Sequence, residues 1–205
     1  MTIKAVVFDI GNVLENNPRL GVQAKWEKRL NLQPGEIDKR LHPVWRAGSF
    51  GTIPLDEVHQ RIGEILKMDA ADVSAFMEDI WTEYVGTPNT ALIDYLRSLR
   101  PRYRTAILSN SFVGAREREE AAYRFSEMVE FLIYSHEVNL MKPDPKIYAL
   151  TCERLGLQPV EIVFVDDAEP NIIAAREFGM HGVLCKDAEQ TIADLKNCLQ
   201  SSKSG

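Results

Sequence analysis

Cysteine is scarce in this 205-residue chain: Cys152, Cys185 and Cys198 are its three, scattered and odd in number. They supply neither a disulfide framework nor a thiolate metal set, so they read as free thiols of a reducing compartment. Basic charge is also short. Lys and Arg number 24 against 30 Asp and Glu, a net charge of −6, which argues against a nucleic-acid or anionic-membrane surface. No apolar run approaches the roughly 18–20 residues of a membrane-spanning helix. Met1-Thr2-Ile3-Lys4 leads straight into an apolar segment, without the charged, apolar and small-residue order of a signal peptide. A cytoplasmic chain is the expectation. Repeats and low-complexity tracts are absent too, and no feature specifies an oligomeric state or a particular substrate.

What is present is a set of short apolar runs: 5–8, 105–108, 131–134, 162–165 and 182–184. They are rich in Val, Ile and Phe and do not alternate with polar residues, as expected of strands buried on both faces of a parallel sheet. From residue 89 onward helical patterns separate them. Asp144-Pro145 has the form of an N-cap followed by proline at the first helical position, and Gly156 supplies a stop. Pro170 opens a further helix that Gly179 closes. This alternation predicts an α/β fold, a doubly wound parallel sheet.

Residues 16–87 break the alternation. Amphipathic patterns run over 20–32, 55–66 and 70–84, punctuated by Pro34-Gly35 and by the segment 48–54, with no convincing strand. The expected organisation is therefore a core domain of 1–15 and 88–200, a small all-helical cap of 16–87 inserted after the first strand, and a frayed tail of 201–205. An insertion at that point would lie over the carboxyl edge of the strands, where open α/β sheets bind ligands.

Chemistry-bearing residues collect at that edge. Asp9 follows the first run, Ser109-Asn110 the second, and Asp166-Asp167 the fourth, while Lys142 stands in the proline-restricted loop Met141-Lys142-Pro143-Asp144-Pro145. Each has an ordinary reading alone: a turn residue, a helix cap, a solvated surface charge. Together they mean more. Three converging carboxylates repel unless a divalent cation neutralises them, and an all-oxygen donor set without His or Cys favours Mg²⁺. A Ser hydroxyl, a backbone N–H and a Lys form an anion clamp. With one nucleophilic carboxylate, the set describes phosphoryl transfer through an aspartyl-phosphate.

These segments resemble the four motifs of the haloacid dehalogenase superfamily of phosphohydrolases, in order: Phe8-Asp9-Ile10-Gly11-Asn12-Val13-Leu14, Leu108-Ser109-Asn110-Ser111, Lys142-Pro143, and Val163-Phe164-Val165-Asp166-Asp167 with Asn171 after it. The Asp-x-Gly-Asn-Val pattern is most similar to sugar-phosphate phosphatases of that superfamily, and the insertion resembles its small helical cap. The resemblance implies Asp9 as nucleophile and metal ligand, the Gly11 carbonyl and Asp167 as further ligands, and Asp166 acting through a metal-bound water with Asn171 behind it. It implies that Ser109 and the Asn110 amide hold phosphoryl oxygens, and that Lys142 offsets charge on both Asp9 and a small phosphorylated substrate.

The chain departs from that pattern at one point. The family usually has a second Asp two residues after the nucleophile, which protonates the leaving group, and here the position is Gly11. General acid–base help is typically worth about 10²–10⁴ in rate. Three consequences compete: leaving groups that need little protonation, a substitute among Glu15, His42, Glu57 and His59, or a weak or inactive relative that only binds a phosphorylated ligand. Dehalogenation of 2-haloacids needs neither the second Asp nor Mg²⁺, but Asp166-Asp167 without a metal would repel such a substrate's carboxylate. In the cap, Trp26, Trp45, Arg46 and Phe50 are the residues able to contact a substrate, Trp45 and Arg46 foremost. Asp79, Trp81 and Tyr84 are expected in helices and core, and Arg116 and Arg118 on a solvated helix face.

Overall fold

The computed structural model describes residues 2–201. Its strands are β1 (Ala5–Phe8), β2 (Glu15–Asn16), β3 (Thr87–Pro88), β4 (Arg104–Ser109), β5 (Phe131–Tyr134), β6 (Ile162–Asp166) and β7 (His181–Leu184). Its α-helices are α1 (Val22–Arg29), α2 (Glu36–Ser49), α3 (Leu55–Leu66), α4 (Ala70–Val85), α5 (Thr90–Leu99), α6 (Ala115–Tyr123), α7 (Ser135–Val138), α8 (Pro145–Leu155), α9 (Glu169–Glu177) and α10 (Ala188–Ser201). Ser201 thus closes a helix and does not begin a tail; residues 202–205 of the expected tail lie outside the described residues. Among the described residues no helix is long and apolar enough to cross a membrane.

The main sheet is parallel throughout, in the order β5-β4-β1-β6-β7. Its strands are apolar on both faces because both faces are covered, and successive side chains separate onto opposite sides. Val6 and Phe8 join Leu92, Leu96 and Leu195 of α5 and α10. Ala5 and Val7 join Ile147, Tyr148 and Ile172 of α8 and α9. The predicted caps form as read: Asp144 accepts from the Lys146 N–H at 2.9 Å, and Gly156 ends α8 at φ 60°.

β1 lies at the centre, and the chain winds outward from it in both directions. The crevice at such a reversal is where α/β sheets take ligands. Register fixes what surrounds it: Phe8 pairs with Ile107 and Val165, so Asp9 leaves the sheet level with Asp166 and one residue short of Ser109.

Helices α1–α4 occupy the interval read as helical. They bury Trp26, Ile37, Leu41, Ile62, Phe76 and Trp81 in a cluster of their own, closed by Val113 and Ala115 after β4. The interval is bounded by a ribbon that the sequence does not announce. β2 and β3 pair antiparallel, Glu15 with Pro88 and Asn16 with Thr87. Two residues are too few to show a period.

Candidate active site

Asp9 is 8% exposed and sits where β1 ends. Its backbone N–H donates to the Val165 carbonyl at 2.9 Å, continuing the sheet. Its Oδ1 accepts from the Ile10 N–H and from Lys142 Nζ, both at 2.8 Å. Burial pushes the Asp9 carboxyl up to about 7; Lys142 opposes that shift and Asp166 adds to it. A divalent cation at the same oxygens acts with Lys142, by favouring the ionised form.

Lys142 is the centre of the charge arrangement. Its side chain is fully buried, and its ammonium donates to Asp9, to Asp166 Oδ2 at 2.6 Å and to the Leu108 carbonyl at 3.0 Å. An ammonium has three donors, so all are used. The lysine is held by Asn110, whose side chain accepts from the Lys142 N–H at 2.8 Å and donates to its carbonyl at 2.9 Å. Sequence reasoning assigns Asn110 only a backbone amide; its side chain ties the second motif to the third.

Asp166 is fully buried at the end of β6. It accepts from Lys142, from the Ala168 N–H at 2.8 Å and from Asn171 Nδ2 at 3.0 and 3.1 Å to its two oxygens. Asn171 is therefore where it was expected, behind Asp166, and its own carbonyl takes the Tyr148 hydroxyl at 2.9 Å. Asp167 is half-buried and accepts from Asn12 Nδ2 at 3.2 Å; burial raises its carboxyl and that hydrogen bond lowers it. One carboxylate oxygen from each of Asp9, Asp166 and Asp167 lies within 4.8 Å of the others. Three hard oxygens at that spacing fit a small divalent cation.

Ser109 is buried beside them, and with Asn110 and Gly11 it lines a cavity of about 510 Å³. Glu15, Asn17, Tyr84 and Glu119 line it too, as do the charged Arg19 and Glu83. A second, apolar hollow of about 320 Å³ shares Asn110 and Tyr84 with the first, and is lined by Trp45, Trp81 and Phe112.

The other candidates divide sharply. Trp45 reaches the apolar hollow, but Arg46 is exposed and lines neither space. It follows Trp45 directly on α2, and one residue of helix rotates a side chain by about 100°. Trp26 is buried among the helices with its indole N–H on Asp79 at 2.7 Å, and Phe50 lines neither space. His42 is exposed, Glu57 pairs with Arg61, and His59 borders a separate hollow on α3. Of the four possible substitutes for the missing Asp, the structure brings only Glu15 to the site. Arg116 pairs with Glu137, and Arg118 with Glu78 across to α4, so neither simply solvates a face. Asn17, Glu119 and Tyr84 are among the site residues that sequence reasoning missed, the last two on helices. The pattern of those helices gives no sign of a cavity.

Comparison with known proteins places this fold among relatives. A mouse protein, acyl-CoA dehydrogenase family member 10, is 25% identical over 96% of this chain, which spans 19% of that protein's length. D-ribitol-5-phosphate phosphatase of Bacteroides thetaiotaomicron is 25% identical over 86% of this chain and 89% of its own. A solved HAD family enzyme of the same organism, in complex with magnesium and inorganic phosphate, superposes with a TM-score of 0.75 at 25% identity, covering 90% of this chain and 94% of its own. The sequence profile of the haloacid dehalogenase-like hydrolases matches residues 3–179, from before β1 to beyond Asn171. That span takes in Asp9, Ser109, Lys142 and Asp166 together, and the chain belongs to the haloacid dehalogenase-like hydrolases.

Proposed function

We propose that the chain is a Mg²⁺-dependent cytoplasmic phosphohydrolase that acts on a small phosphorylated metabolite through an aspartyl-phosphate on Asp9. The observation that carries this reading is the meeting of Asp9, Asp166 and Asp167 within 4.8 Å beside Ser109 and Lys142. Asp9, Asp166, Asp167 and the Gly11 carbonyl would hold the Mg²⁺. When bound it offsets the charge of the carboxylates and of the phosphoryl group. Asp9 attacks phosphorus, while the Ser109 hydroxyl and the Asn110 N–H hold phosphoryl oxygens. Lys142 keeps Asp9 in place, and because its three donors go to protein oxygens, its effect on the phosphoryl group passes through Asp9.

In this reading helices α1–α4 are a cap whose Tyr84 and Trp45 border the space for the leaving group. The relative that acts on D-ribitol 5-phosphate supports a sugar or polyol phosphate as the substrate class. The departure at Gly11 favours a second reading, a protein that binds a phosphorylated ligand without turning it over.

The test is hydrolysis of p-nitrophenyl phosphate and of a panel of sugar phosphates, with Mg²⁺ and with EDTA. We expect turnover only with Mg²⁺, and a fall of about 10⁴-fold or more in Asp9→Asn. Phosphate binding without turnover in the wild type would favour the binding protein. Halide release from a 2-haloacid that persists in EDTA would identify a dehalogenase.

A further inference from the structure

Forming an aspartyl-phosphate from an alkyl ester expels an alkoxide, which needs a proton as it leaves. Gly11 has no side chain to give one. The volume beside it is filled instead by Asn17, whose Oδ1 would lie 3.3 Å from a Cβ built on Gly11. Asn17 is tightly engaged there. It accepts from the Asn12 N–H at 2.9 Å and donates to the Tyr84 carbonyl and, at 3.0 Å, to Glu15 Oε1. The amide thus replaces an acid at the edge of the site and fastens another acid next to it.

Glu15 is 1% exposed and Glu119 is fully buried, and both line the cavity that holds Gly11, Ser109 and Asn110. Each keeps one oxygen in use, Glu15 Oε1 with Asn17 and Glu119 Oε2 with the Tyr134 hydroxyl at 2.6 Å. Glu15 Oε2 and Glu119 Oε1 are buried with no hydrogen-bond partner. A buried carboxylate oxygen without a partner is costly, whereas a protonated one is a donor in need of an acceptor. No cationic side chain pairs with either glutamate through a hydrogen bond or a salt bridge among the described residues. Burial and their mutual repulsion hold the Glu15 carboxyl up at about 9. Burial, with Asp9 adding, holds Glu119 at about 8. Both then carry a proton at neutral pH.

We propose that Glu15 is the general acid and base of this site, and that the substrate is the phosphate monoester of an aliphatic alcohol. The proposal rests on the phosphohydrolase reading above and goes beyond it. As an Asp9 oxygen bonds to phosphorus and the phosphorus–ester oxygen bond breaks, the departing oxygen takes the proton of Glu15 and leaves as the alcohol. Glu15, now a carboxylate, takes a proton from a water whose oxygen bonds to phosphorus. The Asp9–phosphorus bond breaks, inorganic phosphate is released, and Glu15 is a carboxylic acid again.

The test measures kcat/KM for phosphate esters of graded leaving-group pKa in the wild type and in Glu15→Gln. Because kcat/KM reports the steps through phosphoenzyme formation, the wild type should depend only weakly on leaving-group pKa. Glu15→Gln should lose about 10²–10⁴-fold on an alkyl phosphate and stay within about threefold on p-nitrophenyl phosphate. A wild type that hydrolyses neither ester sinks the phosphohydrolase reading itself. A wild type that hydrolyses p-nitrophenyl phosphate but falls steeply with leaving-group pKa overturns only the assignment of Glu15, and needs no variant to fold. Equal losses on both esters in a folded Glu15→Gln, or none on the alkyl ester, overturn it too.

Discussion

Asp9 and Asp166 are buried around an ammonium that gives both of them hydrogen bonds. Glu15 and Glu119 are buried with no such partner, and each leaves an oxygen unbonded. The two pairs belong to one active-site region, and burial penalises a charge in both places. At the strand ends an opposite charge offsets part of the penalty and holds Asp9 at about 7, below either glutamate, so its carboxylate is available at neutral pH. Under the helices the penalty is met by holding a proton. The same side-chain chemistry therefore serves opposite purposes, and what differs is whether a lysine lies within reach.

Removing that lysine is the largest way to break the contrast. Lys142→Met leaves Asp9 and Asp166 side by side without a counter-charge, and we expect a loss of about 3–5 kcal/mol in urea unfolding. Mg²⁺ should restore part of it. A loss under about 1 kcal/mol would mean that other contacts carry the pair.

The next effect concerns the glutamates and depends on pH. Their folded values, about 9 and 8, lie above the usual 4.5. Below pH 4.5 both the folded and the unfolded chain hold these protons. As pH rises from 4.5 the unfolded chain releases them first, so the folded state loses stability until about pH 9. Glu15→Gln cannot ionise. Its stability relative to wild type should rise between pH 5 and pH 9 by about 2 kcal/mol or more, read from melting curves at both values. A difference that does not change with pH would show that Glu15 is charged when folded.

Asn171→Ala is the smallest of the three. It takes one donor from both oxygens of Asp166 but leaves Lys142 and the Ala168 N–H in place. A stability loss of about 1–2 kcal/mol is expected, with a further loss of Mg²⁺ affinity measured by titration calorimetry. Unchanged affinity would separate Asn171 from the metal.

The strand-end half of the site was legible because strand and residue are adjacent in the chain. Val7-Phe8-Asp9 and Phe164-Val165-Asp166 state both the burial and the group delivered at its end, and parallel pairing does the rest. Glu119 lay outside that logic. It stands in Ala115-Arg116-Glu117-Arg118-Glu119-Glu120, a run that reads as a solvated helix face. Burial of this one carboxyl against Tyr134 comes from how α6 sits on β5, which no local pattern encodes. The β2–β3 ribbon was hidden for a related reason, since its paired residues are 71 and 73 positions apart and each strand is only two residues long. Arg46 failed in the opposite sense: it was expected to contact a substrate, and it is exposed and lines neither hollow.

Composition and periodicity by themselves determined the parallel α/β sheet, the helical interval and the carboxylates at the strand ends. Those features follow from burial and backbone geometry acting over a few neighbouring residues. Tertiary structure alone decided which of four candidate acids joins the site, placed Glu119 in the cavity wall, and turned the Lys142 ammonium onto protein oxygens. Desolvation and charge pairing depend on groups brought together from distant parts of the chain, and their sign is fixed only when the neighbours are in place.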